Sequence, residues 1–186
     1  MARKNNIDGS SWSTALRIPK VLWAAMLAST GVYGGLILSG TLPRAGDDPM
    51  LGWVLFGVAM VTAVMSFALP AFFRRNASKL SAEVREEVDP GGQSMFRDAA
   101  PTRRVAADPV AVRADHVARR YTPFILSLAL SEVPAITGLV SWMSSPVPRA
   151  ACLVLVALST ALILMRFPSV TRWRADAEQQ IDAVIP

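Results

Sequence analysis

The stretch Leu128-Ala-Leu-Ser-Glu132-Val-Pro134-Ala-Ile-Thr-Gly138-Leu-Val140 puts one carboxylate near the middle of an apolar run that covers residues 122–145. A helix needs about 20 apolar residues to cross the hydrocarbon core of a bilayer, and this run is long enough. An ionisable group at that depth costs about 2.5–3.5 kcal/mol on insertion scales. Something in the fold or the function must offset that cost.

Three further apolar runs lie outward from it, at residues 21–42, 51–73 and 150–167. Together the four predict an all-α integral membrane protein with four transmembrane helices. They form two hairpins, 21–73 and 122–167, separated by a polar segment at 74–121 and flanked by segments 1–20 and 168–186. The turn at 43–50 is rich in Pro, Gly and Asp (Pro43, Gly46, Asp47, Asp48, Pro49), which suits a tight connection. Pro148 and Arg149 mark the turn of the second hairpin. The basic start followed by a run of about 22 apolar residues is too long for a cleaved signal and reads as a first span.

Charge placement sets the topology. Of the 19 Lys and Arg residues, only Arg44 and Arg149 fall on the side of the two short turns; Arg166 lies inside the fourth run, and the rest lie in the N-terminal segment, the long polar segment or the tail. The positive-inside rule then puts both termini and the long basic loop in the cytoplasm. The net charge of +5 is explained by this placement, and nucleic acid is not expected as a partner. The excess of Arg over Lys and the many Ala residues fit a GC-rich bacterial source, hence a multi-pass protein of the inner membrane. One Cys excludes an internal disulfide, and one His without a cluster of acidic or thiol ligands argues against a metal site or a cofactor.

The polar segments carry less pattern. Within 1–20, Trp12 and Leu16 share a face and suit a helix lying in the membrane interface; a disordered tail is the alternative. Leu80, Val84 and Val88 repeat at helical spacing, so residues 76–88 are expected to be helical. Asp89-Pro-Gly-Gly92 breaks that helix, and 93–107 reads as loop. Asp108-Pro109 looks like a helix start, leading a basic helix through Arg120 into the third span. Pro123 is expected at the entrance of that span. No second globular domain is expected here, because the loop has too few apolar residues for a core, and His116 is expected to be solvated or at headgroup level. In the tail, Val170, Trp173, Ala177, Ile181 and Val184 repeat at helical spacing, for the membrane surface or for packing on the loop.

Small residues line two helical faces. Ala24, Ala28, Gly31 and Gly35 form one stripe, expected at an intramolecular helix contact in preference to a dimer face. Ser127, Ser131, Ala135 and Gly138 form another beside Glu132. Pro70 removes a helical N–H and frees the carbonyl of Ser66; Pro134 does the same for Leu130. Counting depth from the cytoplasmic side places Tyr33 and Thr62 level with Glu132, with Ser159 and Thr160 slightly shallower. A bundle would gather them into a polar cluster around a carboxyl expected to be mostly protonated at pH 7. The Leu130 carbonyl is a further acceptor for its proton or a ligand for a cation.

Residues 129–140 resemble the proton-carrying helix of subunit c, the proteolipid of rotary ATP synthases, with its pattern A-L-x-E-x-x-x-I-x-G-L-V. In that family the Glu binds and releases the translocated proton or sodium ion. The resemblance implies that role for Glu132 and a packing role for Gly138. It covers about twelve residues of one span, and Pro134 and Thr137 depart from it. Two function classes follow. In one, Glu132 handles a proton or cation, in a small transporter or an accessory subunit of a membrane complex. In the other, Glu132 is a neutral hydrogen-bonding pin in an interaction or scaffold protein, whose basic loop meets anionic lipid headgroups, a protein partner or a second copy. No spacing suggests a nucleophile–base pair or a phosphate loop, so an enzyme is not expected and no catalytic residue is assigned.

Overall fold

The computed structural model of the chain describes residues 10–44, 46–76, 83–88 and 102–185. They form six helices and two strands: α1 (Ser10–Ala15), α2 (Arg17–Ser39), α3 (Pro49–Asn76), β1 (Val84–Val88), β2 (Thr102–Ala106), α4 (Pro109–Ser144), α5 (Arg149–Leu164) and α6 (Val170–Ile181). Helix dominates. Three helices, α2, α3 and α4, are long and apolar enough to cross a membrane; α5 is apolar but has 16 residues. The chain divides into two compact units. One is built from residues 18–76 and 121–167, the other from the N-terminal segment to Arg17, residues 77–120 and residues 168–186.

In the first unit, which holds the apolar helices, the core lies between α2, α4 and α5. Ile37, Ala135, Trp142, Cys152 and Val156 are buried together, with Tyr33 and Leu139 against them. Close approach is set by glycine: a Cβ at Gly138 would lie 2.8 Å from the Cys152 carbonyl oxygen, and one at Gly34 would lie 3.3 Å from Val156. Small residues let helix backbones meet in this way. The face of α2 that packs is therefore Thr30, Gly34 and Ile37. Ala24, Ala28, Gly31 and Gly35 are exposed, and no atom lies within 4 Å of a Cβ placed at Gly31 or Gly35. The stripe expected at an intramolecular contact thus points away from it, because the adjacent face meets Val156.

Helix starts and breaks have local causes. Pro49 and Pro109 open α3 and α4, where a missing N–H is harmless. Asp48 accepts from the Met50 N–H at 2.8 Å, and Asp108 accepts from Val110 and Ala111, both at 3.0 Å. Gly40, at φ +63°, ends α2 in the left-handed conformation that favours glycine. Pro70 lies inside α3, and the Ser66 carbonyl it frees is taken by Arg166, whose Nη2 donates to it at 2.6 Å and to Ser66 Oγ at 2.9 Å. Pro123 is not at a helix entrance: α4 runs through it without interruption.

The second unit departs from the expectations for the polar segments. Val84–Val88 is a strand, not a helix, and pairs antiparallel with Thr102–Ala106, which was expected as loop. Residues 77–82 and 89–101, where the rest of those expectations fall, lie outside the described residues. The reason is legible in the register: Glu86 faces Arg104 and Glu87 faces Arg103, and opposite charges across an antiparallel pair stabilise it. A spacing of four residues is even, so Val84 and Val88 share a face in a strand as well as in a helix.

The tail adds to this sheet. Asp182 takes a left-handed conformation (φ 51°) at the end of α6. The chain then turns so that Val184 donates to the Arg104 carbonyl at 2.9 Å and accepts from Ala106 at 3.1 Å. Val184 thus makes an isolated β-bridge to Val105 and is not part of the helical face of Trp173, Ala177 and Ile181. Trp12 and Leu16 are 1% and 0% exposed: they face a protein core rather than a membrane interface. Val105, Ala106, Val112, Trp173, Ala177, Ile181 and Ile185 are buried in the same unit. The expectation of no second globular domain is thus overturned: the loop lacks the apolar residues for a core, but three segments distant in sequence supply one jointly.

Candidate functional site

Glu132 sits in the second half of α4, next to Ser131 and one helical turn from Leu128 and Ala135, all of which are fully buried. Its carboxyl is half-buried. Oε1 accepts a hydrogen bond from Ser29 Oγ and another from Tyr33 Oη at 3.3 Å. Both hydroxyls belong to α2, one turn apart on the same face. Among the described residues no group hydrogen-bonds to Oε2.

The polar residues expected around Glu132 divide. Tyr33 reaches the carboxyl. Thr62 does not: its hydroxyl returns to its own helix, to the carbonyls of Val58 (2.9 Å) and Ala59 (3.0 Å). Leu130 is half-buried, its carbonyl without a helical donor because of Pro134. Ser159 donates to the Ser131 carbonyl, tying α5 to α4, and Thr160 bonds Val156 at 2.9 Å and Thr30 at 3.4 Å. A seam of hydroxyls thus runs through the α2–α4–α5 contact beside the carboxyl. Ser127, Ser131, Ala135 and Gly138 are buried along it. Ser29 was not singled out from the sequence. Its signal was available: it lies four residues before Tyr33, hence on the same helical face.

The second unit holds a different constellation. His116, expected to be solvated, is 1% exposed. Its ring lies edge-to-face between Trp12 (centroids 6.3 Å apart) and Trp173 (6.2 Å). Asp176 approaches His116 Nε2 at 3.7 Å and pairs with Arg120 at 2.7 Å. Burial, and then the Arg120 charge, hold the His116 pKa below the ordinary imidazole value, against the opposing pull of Asp176, Gln180 and Asp115. This part of α4 also carries Arg113, Asp115 and Arg119, which sets it apart from the apolar second half.

Arg113, three residues before His116, is 3% exposed. Among the described residues, both of its terminal nitrogens are buried without a hydrogen-bond partner, as are Trp12 Nε1, Arg103 Nε and His116 Nε2. Nothing in the sequence marks Arg113 among the other arginines of this segment; only the packing does. Among the described residues there is no group of three or more His, Cys, Asp or Glu side chains placed to hold a metal ion.

No protein-family model, curated protein or solved structure matches this chain.

Proposed function

We propose that this chain is a multi-pass membrane protein in which Glu132 takes up and releases a proton within the bilayer, as a small transporter or as an accessory subunit of a membrane complex. In this reading α2, α3, the second half of α4 and α5 with the residues that follow it are the four spans. The basic segments, with both termini, face the cytoplasm of a bacterial cell. The role of Glu132 is not enzymatic.

One observation carries the proposal. The carboxyl is half-buried, gathers two hydroxyls on Oε1 and has no hydrogen-bond partner on Oε2 among the described residues. A carboxyl in hydrocarbon is a functional group by default. A group that exchanges protons needs an accessible oxygen as well as donors that stabilise its charged form. Ser29 and Tyr33 supply those donors, and the local likeness of residues 129–140 to the proteolipid helix agrees with the role.

A second reading is favoured by the origin of the donors. Both hydroxyls come from α2, so Glu132 also ties two helices together and would serve as a neutral pin in a scaffold protein.

Labelling by a hydrophobic carbodiimide in native membranes separates the two, because the reagent needs a protonated, accessible carboxyl. The transport reading expects labelling of Glu132 that falls as pH rises and is lost in Glu132→Gln. A folded, stable Glu132→Gln variant, together with wild-type protein that resists labelling at every pH, would leave the pin.

A further inference from the structure

The second unit has an excess of buried donors. Arg113 contributes two guanidinium nitrogens and Trp12 one ring nitrogen, none with an acceptor among the described residues, and His116 Nε2 is likewise without a hydrogen-bond partner. They come from one neighbourhood. Arg113 and His116 are neighbours on one face of α4, three residues apart. The Trp12 ring lies 6.3 Å from the His116 ring. The nearest described carboxylate to His116, that of Asp176, is already paired with Arg120 at 2.7 Å. Native proteins rarely leave buried polar groups unpaired, and a buried guanidinium remains charged. A charge left without a counter-charge in a packed interior is among the most destabilising arrangements a fold can carry.

We propose that Arg113, with Trp12 and His116, forms a binding site for an oxyanion of the phosphoryl class. A guanidinium presents two parallel N–H groups that match two oxygens of a phosphate. The indole N–H and, when it carries a proton, His116 Nε2 are further donors for the remaining oxygens. A phosphoryl group can accept all of these bonds together. Its source is either a free phosphate ester or the headgroup of an anionic phospholipid, since both offer the same chemistry. The inference stands on the second unit alone and is independent of the role of Glu132.

The test uses the full chain in nanodiscs of zwitterionic lipid, with the thermal unfolding midpoint read while inorganic phosphate is added at constant ionic strength. A ligand that binds only the folded state raises the midpoint with its concentration. The wild-type protein is expected to respond to phosphate and not to chloride. Arg113→Met is expected to weaken the response about ten- to hundredfold, the usual weight of a charge-assisted hydrogen bond. Without phosphate its midpoint should equal or exceed that of the wild type, because an unpaired buried charge has been removed. Should Arg113→Met fail to fold, Trp12→Phe keeps the ring and removes one donor, and is expected to weaken the response about two- to tenfold. A midpoint that responds to nanodiscs of anionic phospholipid but not to free phosphate, with the response lost in the same variants, assigns the site to a headgroup. The proposal is overturned by equal responses to phosphate and chloride, by no response to phosphate or anionic lipid, or by an unchanged response in the variants.

Discussion

The two units treat their buried charged side chains differently, although each leaves some neutral donors unpaired among the described residues, Trp142 Nε1 in the apolar unit and Trp12 Nε1 in the other. In the apolar unit, the carboxyl of Glu132 is met by two hydroxyls, and Arg166 is met by a carbonyl that Pro70 releases. Both of these charge-bearing groups find hydrogen-bond partners on a neighbouring helix. In the second unit, Arg120 is paired, yet Arg113, two turns earlier on the same face of α4, is more deeply buried and its terminal nitrogens have no hydrogen-bond partner among the described residues. A helix in hydrocarbon must satisfy its polar groups from within the protein, because water is not available to do it. The contrast that separates the units is the buried guanidinium of Arg113, whose charge has no hydrogen-bond partner among the described residues.

The sharpest way to break this comparison is to remove the core of one unit and ask whether the other notices. Trp12→Ala deletes a side chain that is 1% exposed, and such truncations cost about 3–5 kcal/mol. The second unit should become protease-sensitive in detergent while the helices of the apolar unit keep their protection in hydrogen exchange. Loss of protection throughout would mean that the two units unfold as one.

A smaller effect tests which faces pack in the apolar unit. Gly138→Val must push against the Cys152 carbonyl, 2.8 Å from the first added carbon, and Leu155 at 3.2 Å. Overpacking of this kind costs about 1–3 kcal/mol. Gly31→Val meets nothing within 4 Å and should leave the unfolding midpoint in detergent unchanged. Equal losses at the two positions would show that the exposed stripe of α2 is covered by another copy of the chain.

The smallest effect is a pH dependence confined to the second unit. His116 has its pKa held below the unfolded value of 6.5 by burial and by Arg120. Above that value both states are neutral there, and the group makes no difference. As pH falls below it, the unfolded chain takes up a proton before the folded one does, so stability declines with acidification. Thermal unfolding at pH 7.5 and 5.5 should show that loss in the wild type, and His116→Gln should reduce it. His116 faces Asp115 and Arg120 from its own helix and Asp176 and Gln180 from α6. A dependence of the opposite sign would mean that Asp176 outweighs burial.

Much of the apolar unit was legible in order along the chain. Long apolar runs form helices because a helix satisfies its own backbone, and that needs no partner. The same locality made Asp108 and Pro109 readable as a helix start, and Pro70 as the residue that frees the Ser66 carbonyl. Tyr33 could be matched to Glu132 by depth alone, whereas Thr62, at a similar depth, bonds its own backbone. Depth gives a level in the membrane but not the rotation of a helix about its axis.

What the sequence determined by itself is that four apolar stretches are helical, three of them long enough to cross a membrane and α5 shorter, together with the presence of one carboxylate among them. Each depends on residues within a few positions of one another. Only the tertiary structure decided which face of α2 meets α5, that Arg166 takes a carbonyl one hundred residues away, and that Val84 and Val88 lie in a strand. It also decided that Trp12, His116 and Trp173 share a core. These outcomes depend on contacts between distant segments, and a pattern that fits two structures locally is resolved only by the partner that packs against it.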